Sequence, residues 1–205
     1  MMFSIKIYDI KGSQKLRDIH RQAHLDYLKS FDAKTLFAGP FLAEDNETEL
    51  GSMRLLDFPG RAAAEKHVAD EPFIIGGVQE RPAVHRWRPG VPHTWRDCPR
   101  TEGNEQFYVF VLDKPGSMAL RARLKDVNRN YVGGFTKNVM VRGPLLSDDG
   151  KGEIGTTMLL DFPGMAAARA FLQGAPYNRE GLWGQVEFYR WRFGRVFDRL
   201  KVPAK

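Results

Sequence analysis

The sequence predicts an α+β protein built from two tandem copies of one β-α-β-β-α-β domain. An internal repeat, a shared order of elements and a shared pattern of turn residues carry that prediction. "GSMRLLDFPGRAAA" at 51–64 matches "GTTMLLDFPGMAAA" at 155–168, an offset of 104 residues. The same offset aligns Phe3 with Phe107, Tyr27 with Tyr131, Gly39-Pro40 with Gly143-Pro144, Pro72 with Pro176 and Arg86-Trp87-Arg88 with Arg190-Trp191-Arg192. An ungapped match of this length is the signature of tandem duplication.

Each element can be justified in order. "FSIKIYDI" and "QFYVFVLD" alternate apolar with other residues and are rich in β-branched and aromatic types, as strands are. A helix follows from Ser13 or Ser117, placed to cap its first turn. Leu16, Ile19, Ala23, Tyr27 and Leu28 recur at helical spacing, as do Leu120, Leu124, Val127 and Tyr131. "KTLFAGPFL" and "NVMVRGPLL" read as short strands interrupted by Gly-Pro, which suits an edge or a bulge. A third strand ends at "LLDF", a second helix enters through Pro-Gly, and a last strand closes at "HRWRPG" or "YRWRFG". This order is the ferredoxin-like arrangement. The predicted boundaries are a first domain over 1–90, a linker over 91–105, a second domain over 106–194 and a C-terminal tail over 195–205.

A four-stranded sheet with helices on one face leaves the other face apolar. Burying two such faces against each other is favoured at ~25 cal/mol per Å². The expected assembly is therefore an intramolecular pseudo-dimer, a dimeric α+β barrel within one chain, with a further homodimer as its possible extension. The Trp87 and Trp191 pair is expected in the core.

Composition narrows the partners. Lys and Arg number 31 against 25 Asp and Glu, for a net charge of +6 and a pI near 9.5. The charge favours anionic partners, but it is poorly clustered and no nucleic-acid motif accompanies it, so a small anionic molecule is expected and nucleic acid is not. No stretch approaches the ~20 apolar residues of a membrane span, and "MMFSIKIYDIKG" reads as a strand and not as a signal peptide, so a cytoplasmic location is expected. Cys98, the sole cysteine, reads as a linker thiol.

Chemistry concentrates in the first copy. His24 lies on the first helix, and an imidazole can serve as acid or base near neutral pH. Glu71 or its neighbour Asp70, in "ADEPF", could orient that imidazole and stabilise its protonated form. At the matching positions of the second copy stand Asn128, Ala175 and Gly174, so the imidazole and both carboxylates disappear together. Joint loss points to one linked function.

These residues resemble the YCII (YciI-like) family. The resemblance is carried by "AHLDYL", "AGP" at 38–40, "GSM" leading into a strand, and "DEPFIIGGV", and it covers nearly all of the first copy and a degenerate form of the second. It implies small domains of ferredoxin-like α+β fold that assemble as dimers, with a site pairing the histidine, here His24, with the acid before proline. That acid is an aspartate in the family and Glu71 here. The resemblance also implies a lyase-type reaction, since one member is similar to an enzyme that removes chloride from a chlorinated hydroxyquinol.

Arg17 and Arg21 share a helix with His24, and either could hold a substrate carboxylate or phenolate. Gly39 and Pro40 shape a strand bend, and Ser52 could touch a ligand. His20 and His24 are four apart, a spacing that can bind a metal, but no further ligand is apparent and no metal is expected. Neither a phosphate-cradling glycine loop nor a dinucleotide fingerprint is present, so cofactor-free chemistry is expected. The sequence thus predicts an enzyme that moves a proton through His24 and Glu71, leading to elimination or isomerisation of a small anionic or aromatic molecule. The second copy would supply one wall of the site. The competing expectation is a non-catalytic binding or accessory protein with a vestigial site.

Overall fold

A computed structural model describes residues 1–197; the predicted tail beyond Phe197 lies outside the described residues. The chain divides into two compact units, Met1–Arg86 with the segment from Arg192, and Trp87–Trp191. These bounds differ from the predicted 1–90 and 106–194. The segment after Trp191 is held by Gly194 N–H donating to Ala38 O at 2.9 Å, and the segment after Trp87 by Gly90 N–H donating to Arg142 O at 2.8 Å.

The first unit contains β1 (Met2–Asp9), α1 (Gln14–Lys29), β2 (Thr35–Leu42), β3 (Glu49–Asp57), α2 (Arg61–Ala69), α3 (Pro72–Ile75) and β4 (Gln79–Trp87). Its antiparallel sheet runs β4-β1-β3-β2. Phe3, Ile5 and Ile7 of β1 join Leu56, Phe58, Ala64 and Val68 in one buried cluster, which the period-two pattern of the strand anticipates. The second unit repeats the order with β5 (Glu105–Asp113), α4 (Met118–Gly133), β6 (Val139–Leu146), β7 (Glu153–Phe162), α5 (Met165–Gly174), α6 (Pro176–Arg179) and β8 (Trp183–Trp191). Its antiparallel sheet runs β8-β5-β7-β6. The fold is thus mixed α+β with antiparallel sheet. Among the described residues, no helix is long and apolar enough to cross a membrane.

Three local expectations change. Ser13 and Ser117 precede their helices but make no side-chain cap; the Ser13 carbonyl accepts from Arg17 N–H, and the Ser117 hydroxyl donates to Lys114 O. Leu16 and Ile19 do not line the buried face of α1, being 41% and 71% exposed; Arg17, His24 and Leu28 occupy it. The helix-entry proline is Pro72, not Pro59: α2 begins after an extended Gly60, whereas Pro72 opens the short helix α3. Trp87 and Trp191 are buried, and so is Cys98, whose thiol burial raises to about 11.

The "GSM" glycine has a structural reason. Gly51 has φ 156°, and a Cβ there would lie 2.3 Å from both the Ile7 carbonyl oxygen and the Phe41 ring. Gly51→Ala should therefore cost ~2–3 kcal/mol in urea unfolding through forced displacement of β1 or Phe41, while Gly60→Ala, with nothing within 4 Å, should cost far less. Equal losses from the two substitutions would refute the close approach.

Candidate functional site

The site is built on α1, β3 and the turn into α3. His24 projects from α1 with only 8% of its surface exposed, and Glu71, the residue before Pro72, is fully buried. His24 Nδ1 lies 2.7 Å from Glu71 Oε1. Phe73 N–H donates to that same oxygen at 3.1 Å, so the proline-started turn both places the carboxylate and solvates it. The Phe73 ring stacks on the imidazole at 3.8 Å between centroids and 5° between planes. Stacking and hydrogen bond together fix the imidazole plane.

The other carboxylate oxygen is held by a residue that sequence reasoning missed. Arg54 of β3, 1% exposed, donates from Nη2 to Glu71 Oε2 at 2.8 Å and from Nη1 to His67 Nε2 at 3.3 Å. His67 is itself buried among Tyr27, Phe31 and Phe58. The 104-residue offset would have exposed this set: Arg54 and His67 give way to Met158 and Phe171, just as His24 and Glu71 give way to Asn128 and Ala175.

Asp70, the alternative carboxylate, belongs to the surface. It pairs with Lys66 at 2.8 Å, because the helical turn that directs Glu71 inward leaves its neighbour outside. Arg17 is present at the site, but its charge is already met: it bonds Asp9 at 2.5 Å, contacts Glu49, and lies over the Phe73 ring at 4.8 Å. Arg121 repeats this frame with Asp113, Glu153 and the Tyr177 ring, which marks it as a structural frame in both units. Arg21 bonds Asp18 and stands 3.9 Å from Glu49. Ser52 accepts from Gln79 at 3.2 Å. Gly39, Pro40, Ser52, Arg21 and His24 border a small cavity of about 40 Å³. Arg192, also missed, borders it too and bonds Glu49 at 2.5 Å.

Among the described residues, no three His, Cys, Asp or Glu side chains gather as metal ligands. His20 instead packs against Gly76, where a Cβ would come within 2.5 Å of the imidazole.

Electrostatics decides the protonation states. Burial alone would raise Glu71, but Arg54 and His24 outweigh it and hold the carboxyl well below its ordinary value. Burial pushes His24 below its ordinary value, against the upward pull of Glu71. At neutral pH the pair is an ionised carboxylate accepting from the Nδ1–H of a neutral imidazole. Nε2 then carries the lone pair and has no hydrogen-bond partner among the described residues.

The first unit is thus an antiparallel α+β domain with a buried, oriented imidazole beside a cavity. Residues 1–88 match the YCII-related domain, and the N-terminal unit of this chain belongs to that family. The chain is 30% identical to the 5-chloro-2-hydroxyhydroquinone dehydrochlorinase of Burkholderia phenoliruptrix AC1100, solved with 2,5-dihydroxybenzoquinone; the match covers 44% of this chain and 96% of that one, with a TM-score of 0.41. Across nearly the whole chain, the fold is similar to a mutant chlorite dismutase of Candidatus Nitrospira defluvii (8% identity, 97% of this chain and 94% of that one, TM-score 0.62). It is also similar to an anthrone oxidase-like protein (10% identity, 94% and 90%, TM-score 0.54). No curated protein matches the sequence.

His67 yields a pH prediction. Burial, reinforced by the Arg54 charge, pushes it down to about 3, whereas the unfolded chain titrates it near 6.5. Below pH 6.5 the unfolded state takes up a proton that the folded state refuses, so stability present above 6.5 is lost as pH falls toward 3, by up to ~1.4 kcal/mol per unit. His67→Phe, which installs the residue found at Phe171, should flatten the acid limb of stability measured by urea unfolding between pH 6.5 and 4.5. Parallel curves for wild type and variant would contradict this.

Proposed function

We propose that the first unit is an enzyme that transfers a proton on a small anionic or aromatic molecule, with elimination or isomerisation as the outcome. The single observation that carries this reading is the His24–Glu71–Arg54 chain, fully buried at Glu71 and ending, beside a cavity, at an imidazole Nε2 without a partner among the described residues. His24 Nε2 would accept a proton from the substrate. In an elimination, the electron pair left behind forms a double bond as the leaving group departs with its own pair. Glu71 is a positioning residue: it fixes the tautomer and stabilises the imidazolium that forms. Arg21 and Arg192 supply positive charge at the cavity wall, although both also face Glu49. Halogenated hydroxyquinols are natural first substrates to try: from a keto tautomer with hydrogen on the halogen-bearing carbon, removal of a ring hydroxyl proton forms a carbonyl and a new ring double bond as halide leaves with its own electron pair, a net loss of hydrogen halide that needs no oxidant.

We also propose that the two units are copies of one ferredoxin-like domain. The repeated element order and the Asp9–Arg17–Glu49 frame, matched by Asp113–Arg121–Glu153, support that reading. The small cavity is the observation that favours the competing reading of a binding or accessory protein, since 40 Å³ accommodates little more than one water's share of liquid.

The two readings separate by mutation. With halide release from a panel of halogenated hydroxyquinols as the assay, His24→Ala should reduce kcat/KM by ~10²–10⁴. Glu71→Gln removes the upward pull on the imidazole, so the acid limb of the pH–rate profile should move to lower pH, with the His24 ¹⁵N titration moving alongside it. Turnover that survives His24→Ala, or ligand binding without turnover in the wild type, would overturn the enzymatic reading.

A further inference from the structure

The second unit holds a larger cavity at the position where the first has its site. Its volume is about 190 Å³, against about 40 Å³. Its lining includes the residues that stand in place of the acid–base chain: where the first unit has Arg54, His67 and Glu71, this one has Met158, Phe171 and Ala175. Three polar, hydrogen-bonding side chains are thus exchanged for an apolar floor. Asn128 stands in place of the imidazole, and among the described residues its side chain makes one long hydrogen bond, its Oδ1 accepting from Tyr177 N–H at 3.4 Å. No group on this floor titrates near neutral pH.

The wall gains a cation. Arg142 of β6 stands where the first unit has Ala38, and it borders the cavity. The other cations at this cavity have acidic partners: Arg121 bonds Asp113 and Glu153, Lys125 and Arg88 bond Glu153, and Arg129 bonds Asp126. The Arg142 guanidinium has no ion pair or hydrogen bond among the described residues, although the residue is partly buried. Burial lowers its pKa, opposed by Tyr177 and reinforced by Arg129. A half-buried guanidinium without a counter-charge is costly, and an anion that meets it removes that cost. Tyr177 lies on the same wall, its ring held under Arg121 at 4.9 Å and its hydroxyl without a hydrogen-bond partner among the described residues.

We infer that the second unit's cavity is a binding site for a small aromatic carboxylate, its carboxylate on Arg142 and its ring on the floor of Met158, Phe171 and Ala175. At interior packing density, this volume takes about ten non-hydrogen atoms, a ring with one or two substituents. Asn128 and Tyr177 supply the remaining hydrogen-bonding groups. The unit binds and does not transform its ligand, and the inference stands independently of any reaction at His24.

Salicylate is the probe, titrated into the full chain carrying ¹³C-methyl methionine. The Met158 methyl should shift saturably in the micromolar to millimolar range, as expected of a fragment-sized ligand, while the Met53 methyl of the first unit serves as the internal reference. Arg142→Ala, which installs the residue found at Ala38 and so suits this strand position, should weaken binding at least tenfold. Arg142→Gln provides the same test should the alanine variant lose its fold. His24→Ala should leave the affinity unchanged, and 2-hydroxybenzyl alcohol, which keeps the ring and loses the carboxylate, should bind far more weakly. Absence of a saturable Met158 shift, an affinity indifferent to Arg142, or equal binding of the neutral alcohol would each overturn the proposal.

Discussion

A carboxylate without exposed surface is the constraint around which the first unit is organised. Removing an ion from water costs several kcal/mol even after relaxation, and the cost is met only when the charge is paired and its lone pairs are occupied. Glu71 satisfies this with three donors: the Arg54 guanidinium on one oxygen, and Phe73 N–H with the His24 imidazole on the other. Each donor comes from a different element, so β3, α1 and the turn into α3 must all be in place together. The local proline serves the same end, since Pro72 opens a helix whose preceding residue can turn its side chain inward to cap it.

Beneath this chemistry lies a frame common to both units. Asp9, Arg17, Glu49 and Phe73 correspond to Asp113, Arg121, Glu153 and Tyr177, with the guanidinium over the ring in each case. Tyr27 and Tyr131 each donate to a carbonyl on the following helix, at 2.8 and 2.9 Å. The frame fixes the first helix of each unit to its sheet and to the short helix after the second. The residues between differ, being a buried charge chain in one unit and an apolar floor in the other. Replacing a buried charged set as a whole is tolerated, whereas removing one member strands the others.

The element order was legible in the sequence because period-two and helical patterns report which face of each element is covered. His24 and Glu71 were legible through a comparison internal to the chain, in which residues that touch one another in the first unit are both different at the matching positions of the second. Arg54 and His67 carry the same signal but sit inside an otherwise well-matched strand and an alanine-rich helix, where a single difference looks like ordinary drift. The capping serines and the exposed Leu16 and Ile19 show the opposite error. Propensity and spacing favour a cap or a buried stripe, but they do not know that the ion-paired Arg17 and the His24 imidazole need the inner face of α1.

By itself, the sequence determined the α+β class, the two-part organisation and the pairing of a histidine with an acid before proline, since periodicity, repetition and joint substitution are properties of the chain. Tertiary structure alone decided which acid: adjacent residues at the end of a helix point in different directions, and only the packed turn sends Glu71 inward to Arg54 and leaves Asp70 to Lys66. It also decided where empty space lies, because a cavity is set by side chains from distant positions meeting or failing to meet, and no local pattern encodes that distance.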